Sequence, residues 1–194
     1  MMKWTKKNVL FVEPTGAVLC QDSTYQPIEI QKKDRFKNTL FHTVLLDGFD
    51  QSFLWQPLAK VHWFEKKNFS KNTARAHFSN SPFLFAKIRK NHVQIACVAT
   101  DPFLQDWFSY LKNKKLLSVG LLCLELARLF EAPTLLFFLT PQGNQRLVYF
   151  EDNAVLLSRT FLSPWKSLDE EIALTLRHIE RRFHRGAKEI QVLN

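Results

Sequence analysis

TLLFFLT at 134–140, QRLVYFED at 145–152, AVLLSRTFL at 154–162, SLDEEIALTLRHIERRFHR at 167–185 and KEIQVL at 188–193 are five patterned segments separated by short breaks. The first is apolar, but its seven residues fall well short of the roughly 20 a membrane helix needs. Pro141-Gln142-Gly143-Asn144 is a turn, and Asn153 separates the second run from the third. Three strands are therefore expected. In the fourth segment Leu168, Ile172, Leu176, Ile179 and Phe183 recur at spacings of four, four, three and four, one face of a helix. Ser167 and Glu170 form a capping box, and Asp169 to Glu171 place negative charge at the positive end of the helix dipole. Arg181, Arg182 and Arg185 suit the other end, and Gly186 is expected in the left-handed cap position. KEIQVL closes the module as a fourth strand.

A helix with one apolar stripe lays it on a sheet, and the three preceding strands supply one. Strand, strand, strand, helix, strand is the half-domain order of ribonuclease-H-like and actin-like folds. The fold class expected is thus α/β with mixed sheets, actin-like or ribonuclease-H-like, in two subdomains. Pro133 separates them: an N-terminal subdomain over 1–132, with an irregular insertion around 23–90, and a βββαβ subdomain over 133–194.

Outward from that module, NVLFVEP (8–14) and AVLCQD (17–22) form a hairpin around Thr15-Gly16. A short edge strand is expected near Ile28 and Ile30. TLFHTVLLD (39–47) is apolar without a period that separates strand from helix. FLWQPLAKVHWFE (53–65) reads as extended segments around a turn, KKNFSKNTARAH (66–77) as a basic polar stretch, and FLFAKIRK (83–90) as a strand or short helix edge. HVQIACVAT (92–100) is a strand. Asp101 caps a helix opening at Pro102, with Leu104, Phe108 and Leu111 on one face. LLSVG (116–120) is a short strand and LLCLELARLF (121–130) a second helix.

The chain has 194 residues, nearly half apolar and eighteen of them Phe, enough for a sizeable core and unlike a disordered composition. Cys20, Cys97 and Cys123 are odd in number and lack metal-type spacing, so reduced core thiols are expected. No signal peptide is visible. The stretch 116–139 carries Glu125, Arg128 and Glu131, which marks it as core and not a membrane span. The net charge of +9 suits nucleic acid, an anionic membrane or an acidic partner.

Neither a Walker A nor a dinucleotide glycine fingerprint occurs. Glu151 and Asp152 are adjacent, so on a strand they point to opposite faces and make no paired metal site. No two of the six histidines, His42, His62, His77, His92, His178 and His184, stand at i, i+4. No nucleophile context is recognisable. Catalytic residues, metal and cofactor are therefore all expected to be absent. Two basic stretches remain as surface candidates. Lys60, Lys66, Lys67, Lys71 and Arg75 are interleaved with Trp63, Phe64 and Phe69, a pattern that also suits single-stranded nucleic acid. Arg177, Arg181, Arg182 and Arg185, with Lys188, line the polar side of the last helix.

HVQIACVATDPFLQDWFSYLKNKKLLSVGLLCLELARLF (92–130), LLFFLTPQGNQRLVYFEDNAVLLSRTF (135–161) and SLDEEIALTLRHIERRFHRGAKEIQVL (167–193) resemble one family. They are similar to the cytoplasmic actin-like domains of inner-membrane assembly proteins of type IV pili and type II secretion, the M protein of the former and the L protein of the latter. The resemblance covers about half the chain; in the N-terminal half it extends only to the opening hairpin. It implies a place on the cytoplasmic face of the bacterial inner membrane, with the assembly ATPase and other platform proteins as partners. In actin-like ATPases two hairpins, each opening with Asp and Gly, surround the phosphates. The corresponding turns here, Glu13-Pro14-Thr15-Gly16 and Thr140-Pro141-Gln142-Gly143, lack that Asp. Glu13, Thr15, Gly16 and Gly143 are the remaining cofactor-binding candidates. Set against the family, the departure implies a degenerate and truncated actin-like fold used as a scaffold, with an actin-like ATPase using Glu13 as one alternative and a basic nucleic-acid module as the other. Nucleic acid is the partner least expected. Secretion-system members continue into a membrane helix, so a soluble fragment of a longer protein is also expected.

Overall fold

The computed structural model describes residues 8–21, 24–28, 43–58, 61–62, 64–78, 83–88, 92–99, 101–111, 118–161, 167–184 and 186–193. In chain order these form β1 (Val9–Glu13), β2 (Gly16–Gln21), β3 (Thr24–Ile28), β4 (Thr43–Leu46) and β5 (Gln51–Pro57). There follow α1 (Lys66–His77), β6 (Phe83–Ile88), β7 (His92–Val98) and α2 (Pro102–Leu111). Next come β8 (Ser118–Leu121) and α3 (Leu122–Leu126), which runs into a 3-10 turn at Ala127–Leu129. The last module is β9 (Thr134–Leu139), β10 (Gln145–Glu151), β11 (Ala154–Phe161), α4 (Leu168–Phe183) and β12 (Glu189–Leu193).

Two sheets repeat one pattern. The first has the order β3-β2-β1-β4-β8, with β1, β2 and β3 antiparallel to their neighbours, β4 parallel to β1, and β8 parallel to β4. The second has the order β11-β10-β9-β12, again with three antiparallel strands and a fourth parallel to the first. A third, antiparallel sheet, β5-β7-β6, carries α1 and is inserted between β4 and α2.

Several expectations need correction. The segment 23–90 holds regular elements: β3 and β4 belong to the first sheet, and β5, α1 and β6 to the inserted layer. The basic stretch 66–77 is a helix whose buried residues, Ser70 and Ala74, are small or polar, so that Phe69 alone packs a large apolar side chain inward and no apolar period shows. TVLL is a strand; Ile30 and residues 39–42 lie outside the described residues. Within the chain, the N-terminal half shares the order of its first four strands, β3-β2-β1-β4, with the second half's β11-β10-β9-β12. Asp101 caps α2 as expected, its Oδ1 accepting from Phe103 N at 2.9 Å and Leu104 N at 3.0 Å.

The unbroken apolar run of β9 follows from its position, because both faces of its sheet are covered. Leu135, Phe137, Leu147 and Tyr149 pack under α4 with Ile179. Leu136, Phe138, Val148 and Phe150 face the other way, into a core shared with Leu10, Val12, Val44, Leu46 and Trp107 of the first half. On α4, Ser167 Oγ accepts from Glu170 N at 3.2 Å and the Glu170 carboxylate accepts from Ser167 N at 3.1 Å, which closes the capping box. Ser167→Ala should lower stability by about 1 kcal/mol in chemical denaturation. Glu171 does more than meet the dipole: it is buried and pairs with Arg159 at 3.4 Å, while Arg159 donates to Thr175 Oγ1 at 3.0 Å. The left-handed cap is His184 (φ 53°), not Gly186. The helix ends early because Lys188 N and Glu189 N must reach the Pro133 carbonyl, at 2.8 and 3.2 Å, to start β12 beside β9.

Candidate functional site

In a parallel pair, ligand clefts open at the carboxyl ends of the strands. Those ends are Glu13 on β1 and Asp47 just beyond β4. Opposite them stands the turn that joins β9 to β10. Glu13, only 3% exposed, spends its carboxylate on that turn. Its Oε2 accepts from Thr140 Oγ1 and Asn144 Nδ2, both at 2.7 Å, and its Oε1 accepts from Gln142 N at 3.1 Å. Asn144 Nδ2 also donates to Thr15 Oγ1 at 2.7 Å. Gly143 makes the turn possible with φ of 79°, a backbone that side-chain-bearing residues avoid. Gly16 permits the contact: a Cβ there would lie 2.7 Å from the Gln142 amide carbon. The candidates Glu13, Thr15, Gly16 and Gly143 are thus brought to one place, where the two hairpins are stitched together. Among the described residues, no three His, Cys, Asp or Glu side chains converge as metal ligands.

Beside this clamp lies a buried ion pair that the sequence reading did not single out. Arg146, on β10, donates from Nη2 to Asp47 Oδ1 at 2.9 Å and to Ser158 Oγ at 3.0 Å. Its Nη1 donates to Thr160 Oγ1 and, at 3.4 Å, to the Phe49 carbonyl. Gln51 Nε2 bonds Asp47 Oδ1 at 2.5 Å. Burial pushes the Asp47 carboxyl from 3.8 up to about 6, against the pull of Arg146 and of the Gln51 hydrogen bond. Cys123 sits in the same interior, and burial pushes its thiol up to about 11, which keeps it protonated and inert. A second tie joins the inserted layer to the second sheet. The Gln94 amide on β7 donates to the Val155 carbonyl and accepts from Val155 N at 3.0 Å, substituting for a strand partner.

No protein-family model and no curated protein matches the chain. Among solved structures, it is similar to the cytoplasmic domain of EpsL, an inner-membrane component of the type II secretion system of Vibrio cholerae. That likeness covers 97% of this chain and 82% of the other, at 10% identity and a TM-score of 0.55. A Bacteroides thetaiotaomicron VPI-5482 protein with an actin-like ATPase fold and unknown function aligns over 100% of this chain and 94% of its own, at 11% identity and a TM-score of 0.49. The fold is actin-like. At such identities the likeness is one of architecture, which the two repeated sheets display directly.

The basic candidates fall on separate layers of this fold. Lys66, Lys67, Lys71 and Arg75 lie on α1 over the inserted sheet, with Lys67, Lys71 and Arg75 exposed. Phe69 packs inward beside Leu58, Ala74, Val93 and Ile95, so it offers no platform for a base. Phe64 is exposed and stacks on His62 at 5.6 Å. Lys60 and Trp63 lie outside the described residues, as does Arg185. Arg177, Arg181, Arg182 and Lys188 are exposed along and just after α4, and the Arg182 guanidinium lies over the Phe183 ring at 5.4 Å. A groove of about 390 Å³ between β6 and β8 is lined by Phe85, Phe108, Val119 and Leu124, with the Lys87–Glu125 ion pair at 2.7 Å. Among the described residues, no helix is long and apolar enough to cross a membrane.

Proposed function

We propose that the chain is a non-catalytic scaffold domain of a type IV pilus or type II secretion platform, on the cytoplasmic face of the bacterial inner membrane. It recruits the assembly ATPase and neighbouring platform proteins. The observation that carries this reading is the Glu13 clamp. Where an actin-like ATPase holds phosphates between two hairpins, the turns here lie against each other and both Glu13 oxygens are taken by Thr140, Gln142 and Asn144. A nucleotide would have to break three hydrogen bonds to a carboxylate before making any of its own. The likeness to the EpsL cytoplasmic domain supports the choice of machine. The exposed cations of α4 support contact with an anionic leaflet, at about 1 kcal/mol per basic residue near the surface.

The test sets Mg-ATP against the assembly ATPase of the same cell. A ligand at a hundred times its Kd stabilises by about 2.7 kcal/mol, roughly 5–11 °C in Tm for a chain of this size. The scaffold reading expects no shift with Mg-ATP and saturable binding of the purified assembly ATPase in calorimetry. A nucleotide shift of several degrees would restore the ATPase reading, and absence of ATPase binding would remove the scaffold.

A further inference from the structure

α1 and α4 both expose cations, and helix stability accounts for one set only. α4 follows its dipole: Asp169, Glu170 and Glu171 fill the first turn, and Arg181 and Arg182 the last. α1 does not. Arg75 and His77 suit its last turn, but its first turn opens on Lys66 and Lys67 with no acid, at the positive end of the dipole. Lys67, Lys71 and Arg75 then recur every fourth residue along one exposed stripe, and like charges so spaced repel. Among the described residues no carboxylate meets any of the three. Nor do the stretches outside the described residues offer an acidic run: their acids are Asp22, Glu29 and Asp34, outnumbered by Lys32, Lys33, Arg35 and Lys37 alone. The stripe therefore costs the free protein stability, a local conflict of the kind that marks functional surfaces.

We infer that the outer face of α1 is a docking surface for an acidic helix of a partner protein, laid along Lys67, Lys71 and Arg75. This deepens the scaffold reading and rests on it for the existence of a protein partner. The repeat is one that a second helix matches. Four residues rise about 6 Å, so carboxylates one turn apart on the partner meet the three cations in succession. Asn68 and Asn72 flank the stripe, both exposed, and their amides can donate to and accept from polar side chains of the partner. Single-stranded nucleic acid would need aromatic platforms beside the charge, but Phe69 faces inward and the Phe64 ring lies on His62. A helix lying in a leaflet inserts an apolar face beside its cations, and α1 spends Phe69 and Ala74 on the inserted sheet. An acidic protein helix needs neither, since charge complementarity alone fixes its register.

The probe is an acetylated, fluorescein-labelled peptide of four Glu-Ala-Ala-Ala repeats, read by anisotropy at low salt. Beside it runs a peptide of the same composition with its Glu residues consecutive. The spaced peptide should bind saturably below about 1 mM, the weak end of specific association, and the clustered one at least about threefold more weakly. Lys67→Glu should weaken binding of the spaced peptide at least about tenfold. Arg128→Glu makes the same change in net charge at an exposed site on the turn after α3, and should alter binding by less than about twofold. Lys67→Glu also places an acid at the positive end of the dipole and an i, i+4 pair with Lys71, so its Tm should rise by about 1–4 °C. Loss of binding in that variant is then separate from loss of fold. Four results overturn the inference: no binding by the natural protein, equal binding of the two peptides, undiminished binding by Lys67→Glu, or an equal loss in Arg128→Glu. A lower Tm in Lys67→Glu overturns it too, since the stripe then serves the fold. So does tighter binding of a short DNA duplex, or of vesicles of phosphatidylserine and phosphatidylcholine in equal parts, that Lys67→Glu abolishes. If the assembly ATPase binds while the spaced peptide does not, this face fails and the scaffold stands.

Discussion

Arg146→Met is expected to destabilise the protein by about 3–5 kcal/mol at pH 7, lowering Tm by roughly 6–20 °C. The methionine fills similar space, so the effect is electrostatic: the buried Asp47 carboxyl loses its counter-ion and must take up a proton or stay charged with Gln51 as its remaining side-chain donor. The effect has a definite pH dependence. The folded state already holds the Asp47 proton more tightly than the unfolded chain, with its pKa raised from 3.8 to about 6. This group's contribution is therefore full below about pH 4 and fades as pH rises to 6, by about 3 kcal/mol. Without the guanidinium the folded pKa climbs higher still, and the variant keeps losing stability above pH 6. The gap between the natural protein and Arg146→Met should thus be widest near pH 8 and narrow toward pH 5. A gap that stays constant across urea titrations at pH 5, 6.5 and 8 would show that Asp47 is not the group left stranded. Asp47→Leu combined with Arg146→Met should lose less than the two single changes added together, because an apolar pair strands no charge.

The second half was legible because its pattern is strong. The 3.6-residue stripe, capping box and turn residues of 134–193 sit in one continuous run, and α4 with its sheet follows from them. Elements whose partners decide their form were not. TVLL is buried within a sheet and shows no alternation, and α1 buries Ser70 and Ala74 instead of large apolar residues. The candidate site divides in the same way. Glu13 is visible as an acid at a hairpin where a family pattern expects Asp, but its partners Thr140 and Asn144 lie 127 and 131 positions away. Arg146 reads as the polar member of a strand, and only the fold brings Asp47, 99 positions distant, to its guanidinium. A basic residue among LVYF on a strand covered on both faces was the one available signal, since a buried charge requires a partner.

Glu13→Ala should lower stability by about 2–4 kcal/mol, or roughly 5–15 °C in Tm. Hydrogen bonds to a charged acceptor are each worth about 1.5–3 kcal/mol, and three converge here. They do not add fully, because Asn144 keeps its bond to Thr15 and water can enter beside the exposed Gly143. Thr140 is buried, and its hydroxyl continues to accept from Asn144 N at 3.0 Å, which holds part of the turn. Glu13→Gln separates charge from shape. One amide oxygen replaces an acceptor, but the amide nitrogen then faces Gln142 N or the pair Thr140 and Asn144, so about half the loss should remain. The same variants discriminate between the two uses of the residue. If Glu13 is a clamp, Glu13→Ala loosens the turns and neither the natural protein nor the variant gains Tm from Mg-ATP. If it stands in for a magnesium-positioning Asp, the natural protein gains Tm with Mg-ATP and the variant does not. A natural-sequence shift that survives in Glu13→Ala would remove Glu13 from nucleotide binding while showing that the closed turns do open.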